Sequence, residues 1–178
     1  MKNILAICGS LRAKSANLSI IENVAALSAD YLNISIYQGL AALPAFNPDL
    51  DTDDSVPPAE VTDLRRRIKE SDGVLICTPE YIFAVPGALK NAIDWMVSSA
   101  SFVKKPTALI TASGLGEKAH ETLLLTLETL EAKFGEKSAL HIPYVRTKIN
   151  AEGVVSDAAT VEALKELIES FIQTIEAK

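Results

Sequence analysis

Three segments of the chain are apolar without alternation, Ile4 to Cys8, Val74 to Cys77 and Ala108 to Ile110. Strands read this way when both faces of their sheet are covered, so the three predict inner parallel strands. Two further segments have the look of strands near sheet edges. Leu32, Ile34 and Ile36 alternate with Asn33 and Ser35, and Ala139 to Ile142 is interrupted by a histidine. Between the strands, apolar residues recur at helical spacing: Leu18, Ile21 and Ala25; Val61, Leu64 and Ile68; Leu89, Ile93 and Met96; Leu123, Leu127 and Leu130. The longest stripe runs through Val161, Leu164, Ile168, Phe171, Ile172 and Ile175, with Ser156 or Asp157 placed to cap its start.

Strands and helices thus alternate along the chain, which predicts an α/β fold with a doubly wound parallel sheet and helices on both faces. Right-handed crossovers and five strands favour the flavodoxin-like order 2-1-3-4-5. A length of 178 residues suits one such domain over residues 1–178. Ligands in these sheets sit beyond the carboxyl ends of the strands where the order reverses, here the loops after the first, third and fourth strands.

Composition narrows the partners. A net charge of -6 argues against binding to a nucleic-acid backbone, which needs clustered cations. The basic run Arg65-Arg66-Arg67 falls on a helix and is expected to be a solvated face. No apolar run approaches membrane-spanning length and no cleavage pattern opens the chain, so a cytoplasmic protein is expected. Cys8 and Cys77 each end an apolar run without C-x-x-C spacing and read as small buried hydrophobes. Pro44 to Pro58, with Asp49, Asp51, Asp53 and Asp54, reads as a surface loop rather than a metal site. His120 and His141 stand far apart in sequence and suggest no catalytic pairing, so each is expected to be surface or structural.

The first strand runs into Gly9-Ser10-Leu11-Arg12-Ala13-Lys14-Ser15-Ala16-Asn17, with a helix starting at about Ser15. A helix N-terminus offers unpaired N–H groups and partial positive charge; Ser10, Ser15 and Asn17 add donors and Arg12 a fixed cation. Three or four charge-assisted hydrogen bonds at about 1.5–3 kcal/mol each would supply much of the roughly 8–12 kcal/mol of a micromolar-to-nanomolar ligand. A phosphate monoester fits such a loop, which matches neither the dinucleotide nor the Walker glycine pattern. The loop can equally be read as a capped helix, with Ser15 the N-cap and Arg12 on the surface. After the third strand come Pro79-Glu80-Tyr81 and then Pro86-Gly87-Ala88-Leu89-Lys90-Asn91-Ala92-Ile93-Asp94-Trp95. After the fourth comes Ser113-Gly114-Leu115-Gly116, a strand-to-helix turn whose glycines would admit close backbone approach to a flat ring.

Taken together, the first two loops resemble the NAD(P)H-dependent FMN reductase family, which includes quinone, azo-dye and chromate reductases. The resemblance implies an FMN phosphate held by Ser10, Arg12, Ser15 and Asn17. It places the isoalloxazine against Pro79, Glu80, Tyr81 and Ile82, with Ser113, Gly114 and Gly116 as third-loop contacts. It implies that NADPH or NADH delivers a hydride to the flavin, with no side-chain catalyst and no metal. A ping-pong cycle then passes it to a quinone, azo compound, metal oxyanion or free flavin. A homodimer or homotetramer is implied as well, to which Phe83, Trp95 and Phe102 could contribute, while Lys90, Asn91 and Asp94 serve either helix packing or that interface.

The chain departs from the family at one place. Where the family usually continues Pro-Glu-Tyr with Asn and small or polar residues, this sequence has Ile82, Phe83 and Ala84. The exchange removes a hydrogen-bonding side chain and adds apolar surface, which is expected to favour flat apolar acceptors such as quinones. Two other readings share the fold: an electron carrier that holds FMN without oxidising nicotinamide, and a regulatory module without flavin. Bleaching of bound flavin by NADPH separates the first from an enzyme, and colour separates the second.

Overall fold

The computed structural model describes residues 1–177. Five strands, β1 (Lys2–Cys8), β2 (Leu32–Ile36), β3 (Gly73–Thr78), β4 (Thr107–Ala112) and β5 (Ala139–Ile142), form one sheet in the order β2-β1-β3-β4-β5. All neighbours are parallel. Five α-helices connect or follow them: α1 (Ala16–Leu27), α2 (Ala59–Glu70), α3 (Gly87–Asp94), α4 (Glu117–Thr129) and α5 (Ala158–Glu176). The flavodoxin-like order read from the sequence is the order observed.

The strand pleat sends alternate residues to two cores. Leu5, Ile7, Val74, Ile76 and Leu109 meet α2, α3 and α4, while Ile4, Ala6, Leu75, Ala108 and Ile110 meet α1 and α5. Every residue of β3 and β4 is buried, as their unbroken apolar runs require. Asp157, rather than Ser156, caps α5, its carboxylate accepting from the Thr160 amide at 2.9 Å and the Thr160 hydroxyl at 2.6 Å. Among the described residues no helix is long and apolar enough to cross a membrane.

Three expectations are corrected. The buried face of α1 consists of Asn17, Ile20, Ile21 and Val24, so Leu18 and Ala25 flank the stripe instead of forming it. Arg65 is turned inward while Arg66 and Arg67 stay on the solvated face. Its guanidinium grips Asp51 at 2.8 Å, the Trp95 carbonyl and the Ser98 hydroxyl. The Pro44–Pro58 loop is thereby fastened to the core side of α2. Trp95 (0% exposed) and Phe102 (2%) lie inside the larger core and are unavailable to any subunit interface. Trp95 packs edge-on against Phe46, and its indole N–H shares the Pro44 carbonyl with the Asn91 amide, each at 2.9 Å. Asn91 therefore serves packing, and Lys90 and Asp94 form an exposed pair at 2.6 Å.

Candidate active site

The strands end nearly level, with Cys8 beside Cys77 and Thr78 beside Thr111, so the loops that follow β1, β3 and β4 emerge together. Gly9 must be glycine at this point, because a Cβ there would stand 2.3 Å from Thr78 Oγ1. The chain then turns into α1. Ser15 is extended (φ -99°, ψ 136°) and caps the helix, its Oγ accepting from the Asn17 amide at 3.2 Å. Ser10 is buried, and its Oγ accepts from the Arg12 amide at 3.4 Å. The Ser10 O–H donates to no group among the described residues, while the Ser15 hydroxyl lies against the Cys8 sulfur. Asn17 is buried, donating Nδ2–H to the Ala112 carbonyl at 3.2 Å and accepting from the Cys77 thiol at 3.3 Å, which leaves one amide hydrogen. Burial pushes the Cys8 thiol up and the Cys77 thiol well up, so both are held protonated and unreactive.

The loop after β3 makes a hairpin. Tyr81 and Ala84 exchange both backbone hydrogen bonds (2.9 and 3.0 Å), and the two residues between them, Ile82 and Phe83, have φ of 51° and 58°. Positive φ at both central positions is the geometry of a type I′ turn. Ile82 is 95% exposed at the tip and Phe83 68%. Glu80 points away from solvent: its carboxylate accepts from the Gly116 amide at 3.2 Å and the Ala119 amide at 2.9 Å, so it caps α4 from a distant loop. The Glu80 amide in turn donates to Ser113 Oγ at 3.2 Å. The loops after β3 and β4 are thus bolted together.

In the loop after β4, Gly116 is left-handed (φ 95°) and supplies the turn into α4, while Gly114 has open space where a side chain would lie. The two histidines, remote in sequence, stack with ring centroids 5.6 Å apart. His141 Nε2–H donates to the Leu115 carbonyl at 2.6 Å, and His120 Nδ1 shares a hydrogen with the Thr111 hydroxyl at 3.0 Å. Burial first, then the charge of His141, lowers the pKa of His120.

These loops front a cavity of about 690 Å³, a size suited to a cofactor. Of the residues singled out in the sequence, Ser10, Arg12, Ser15, Asn17, Pro79, Glu80, Tyr81, Ser113 and Gly114 line it; Ile82 and Gly116 do not. The segment after β5, from Tyr144 to Asn150, forms a wall that carried no recognisable motif in the sequence. Arg12, Lys14 and Arg146 face the cavity and have no carboxylate partner among the described residues, while the carboxylate of Glu80 is already engaged. In a chain of net charge -6, this concentrates donors and cations at a helix N-terminus, and such a donor set fits the phosphate of FMN.

A flavodoxin-like sheet with a donor- and cation-lined cavity beyond its first, third and fourth strands has the form of a nucleotide-cofactor protein. The model of the NADPH-dependent FMN reductase family matches residues 2–147, and the chain belongs to that family. It is accordingly an oxidoreductase that works through FMN and a nicotinamide nucleotide. The chain is 28% identical to a quinone reductase of Escherichia coli K12, over 97% of this chain and 95% of the relative. It is 32% identical to an NADPH:quinone oxidoreductase of Arabidopsis thaliana, over 94% and 89%. A flavoenzyme NAD(P)H:(acceptor) oxidoreductase from Paracoccus denitrificans superposes with a TM-score of 0.81 at 29% identity, covering 99% of this chain and 98% of the other.

Proposed function

We propose that the protein serves its nicotinamide donor and its electron acceptor in turn from one FMN site, with a quinone as the acceptor it suits best. The observation that carries this reading is that the loops after β1, β3 and β4 all open onto the same cavity. Two flat substrates that must reach one bound ring through one mouth have to alternate, which is a ping-pong cycle. When bound, FMN supplies the hydride-carrying chemistry.

The chain's own residues bind and orient. Ser10 and Ser15 hydroxyls, the N-terminus of α1, the Arg12 guanidinium and the remaining Asn17 amide hydrogen hold the phosphate. Pro79, Glu80 and Tyr81 on one side and Ser113 and Gly114 on the other flank the ring, with the Glu80 carboxylate spent on fixing the distance between these loops. The quinone-reducing relatives favour a quinone over a small oxyanion, and the exposed apolar tip of the hairpin, which does not line the cavity, meets only the part of an acceptor that extends beyond it. The same tip, Ile82 and Phe83, suits contact with a second copy in a homodimer or homotetramer.

The test is anaerobic. Purified protein loaded with FMN is mixed with NADPH, and then with a benzoquinone. Flavin absorbance is expected to bleach on the first addition and return on the second. Flavin that stays oxidised with both NADPH and NADH would reduce the protein to a carrier, and equal affinity for FMN and riboflavin would remove the phosphate assignment.

A further inference from the structure

The cavity holds more positive charge than one phosphate monoester requires. The loop after β1 supplies Arg12 and Lys14, and the segment after β5 supplies Arg146. An FMN phosphate carries about two negative charges at pH 7, and it meets Arg12 together with the partial positive charge at the start of α1. Lys14 and Arg146 are left over, with no carboxylate within salt-bridge reach among the described residues.

The backbone that carries Arg146 is fixed in an unusual way. Tyr144 adopts left-handed geometry (φ 53°, ψ 36°), which costs energy for a residue with a side chain and persists only where the surroundings impose it. What imposes it is the loop after β4: the Tyr144 amide donates to the Gly114 carbonyl at 2.9 Å and the Val145 amide to the Ser113 carbonyl at 3.1 Å. Val145 is buried beneath, and the amide and hydroxyl of Thr147 both return to the Tyr144 carbonyl at 2.9 Å. Arg146 therefore stands between two anchored residues, on a turn tied to the same Ser113 and Gly114 that front the cavity.

We propose that Arg146, assisted by Lys14, forms a second anion subsite that takes the 2′-phosphate of NADPH and gives the enzyme its preference for NADPH over NADH. The inference rests on the FMN reading above, because it is the flavin phosphate that occupies Arg12. The two dinucleotides differ only in that phosphate, and a guanidinium left unneutralised by the cofactor can bind it through two parallel hydrogen bonds.

The experiment uses FMN-loaded protein titrated calorimetrically with adenosine 2′,5′-bisphosphate and with adenosine 5′-monophosphate, for the native chain, Arg146→Ala and Arg146→Lys. The FMN dissociation constant of each apoprotein is measured beside it. The native protein is expected to bind the bisphosphate about 10- to 100-fold more tightly than the monophosphate. Arg146→Ala removes most of that margin while FMN affinity holds, Arg146→Lys retains part of it, and the ratio of kcat/KM for NADPH to that for NADH falls in step. A margin that survives in Arg146→Ala overturns the inference. So does a loss of FMN affinity that accompanies the loss of margin, since Arg146 would then belong to the flavin phosphate. Failure to take up FMN sinks the flavoenzyme reading and this one with it, whereas a flavin-loaded native protein without any margin sinks this one alone.

Discussion

The loops after β1 and β3 lie side by side at the end of the sheet and meet their backbone demands in opposite ways. In the first, each residue suits its place: Gly9 fills a gap with no room for a Cβ, and Ser15 caps the helix that begins at the cavity. In the second, Ile82 and Phe83 occupy the two positions of a type I′ turn that Asn and Gly favour. A β-branched residue held left-handed there costs about 1–2 kcal/mol. Local preference and global fold agree in the loop after β1 and conflict in the hairpin after β3. Strain of this kind collects at functional sites, where the surrounding structure imposes it.

The strongest way to break the comparison is Gly9→Ala. Its methyl group would overlap Thr78 and approach Leu89 Cδ2 at 3.0 Å, so a loss of about 3 kcal/mol or more in urea unfolding is expected. A loss below about 0.5 kcal/mol would mean that the strand ends yield easily. Arg12→Ala comes next: FMN affinity measured by calorimetry should weaken by about 1.5–3 kcal/mol while the melting temperature of the apoprotein holds. Unchanged affinity would return Arg12 to the surface.

At the hairpin the sign reverses. Ile82→Asn relieves the left-handed strain and should stabilise the protein by about 1 kcal/mol, a rise of roughly 2–4 °C in Tm. The same variant should shift the ratio of kcat/KM for benzoquinone to that for chromate toward chromate. If Tm rises and the ratio stays, the tip is strained but does not choose the acceptor.

The smallest effect belongs to pH. His120 is held below its ordinary pKa by burial and by His141, so the unfolded chain takes up the proton first on acidification. Stability should therefore decline as the pH falls from about 6.5 toward the lowered folded value, and be fully lost as a contribution below it. His120→Gln should flatten that part of the pH–stability curve.

The fold was legible because burial on both faces leaves an unbroken apolar run, and β1, β3 and β4 all have one. The loop after β1 and the segment after β3 stand out in the sequence because their pattern is local, a few residues at fixed spacing. What escaped notice depends on distant parts meeting. Arg65 sits among two solvated arginines, and only Asp51 and the Trp95 carbonyl turn it inward. His120 and His141 stack because β5 returns beside β4. The wall from Tyr144 to Asn150 has no motif; it borders the cavity through backbone hydrogen bonds to Ser113 and Gly114, which leave no mark in the sequence.

The span of Glu80 from the hairpin to the start of α4 bears on how such enzymes can be rebuilt. A carboxylate that caps a helix from another loop makes the two loops heritable as a pair: a grafted hairpin would uncap α4 wherever it lacked a Glu placed to accept from the Gly116 and Ala119 amides. The exchangeable unit of this active site is therefore a composite cassette, residues 79–86 together with 113–119. Recombination breakpoints that split it should yield fewer folded chimaeras than breakpoints on either side.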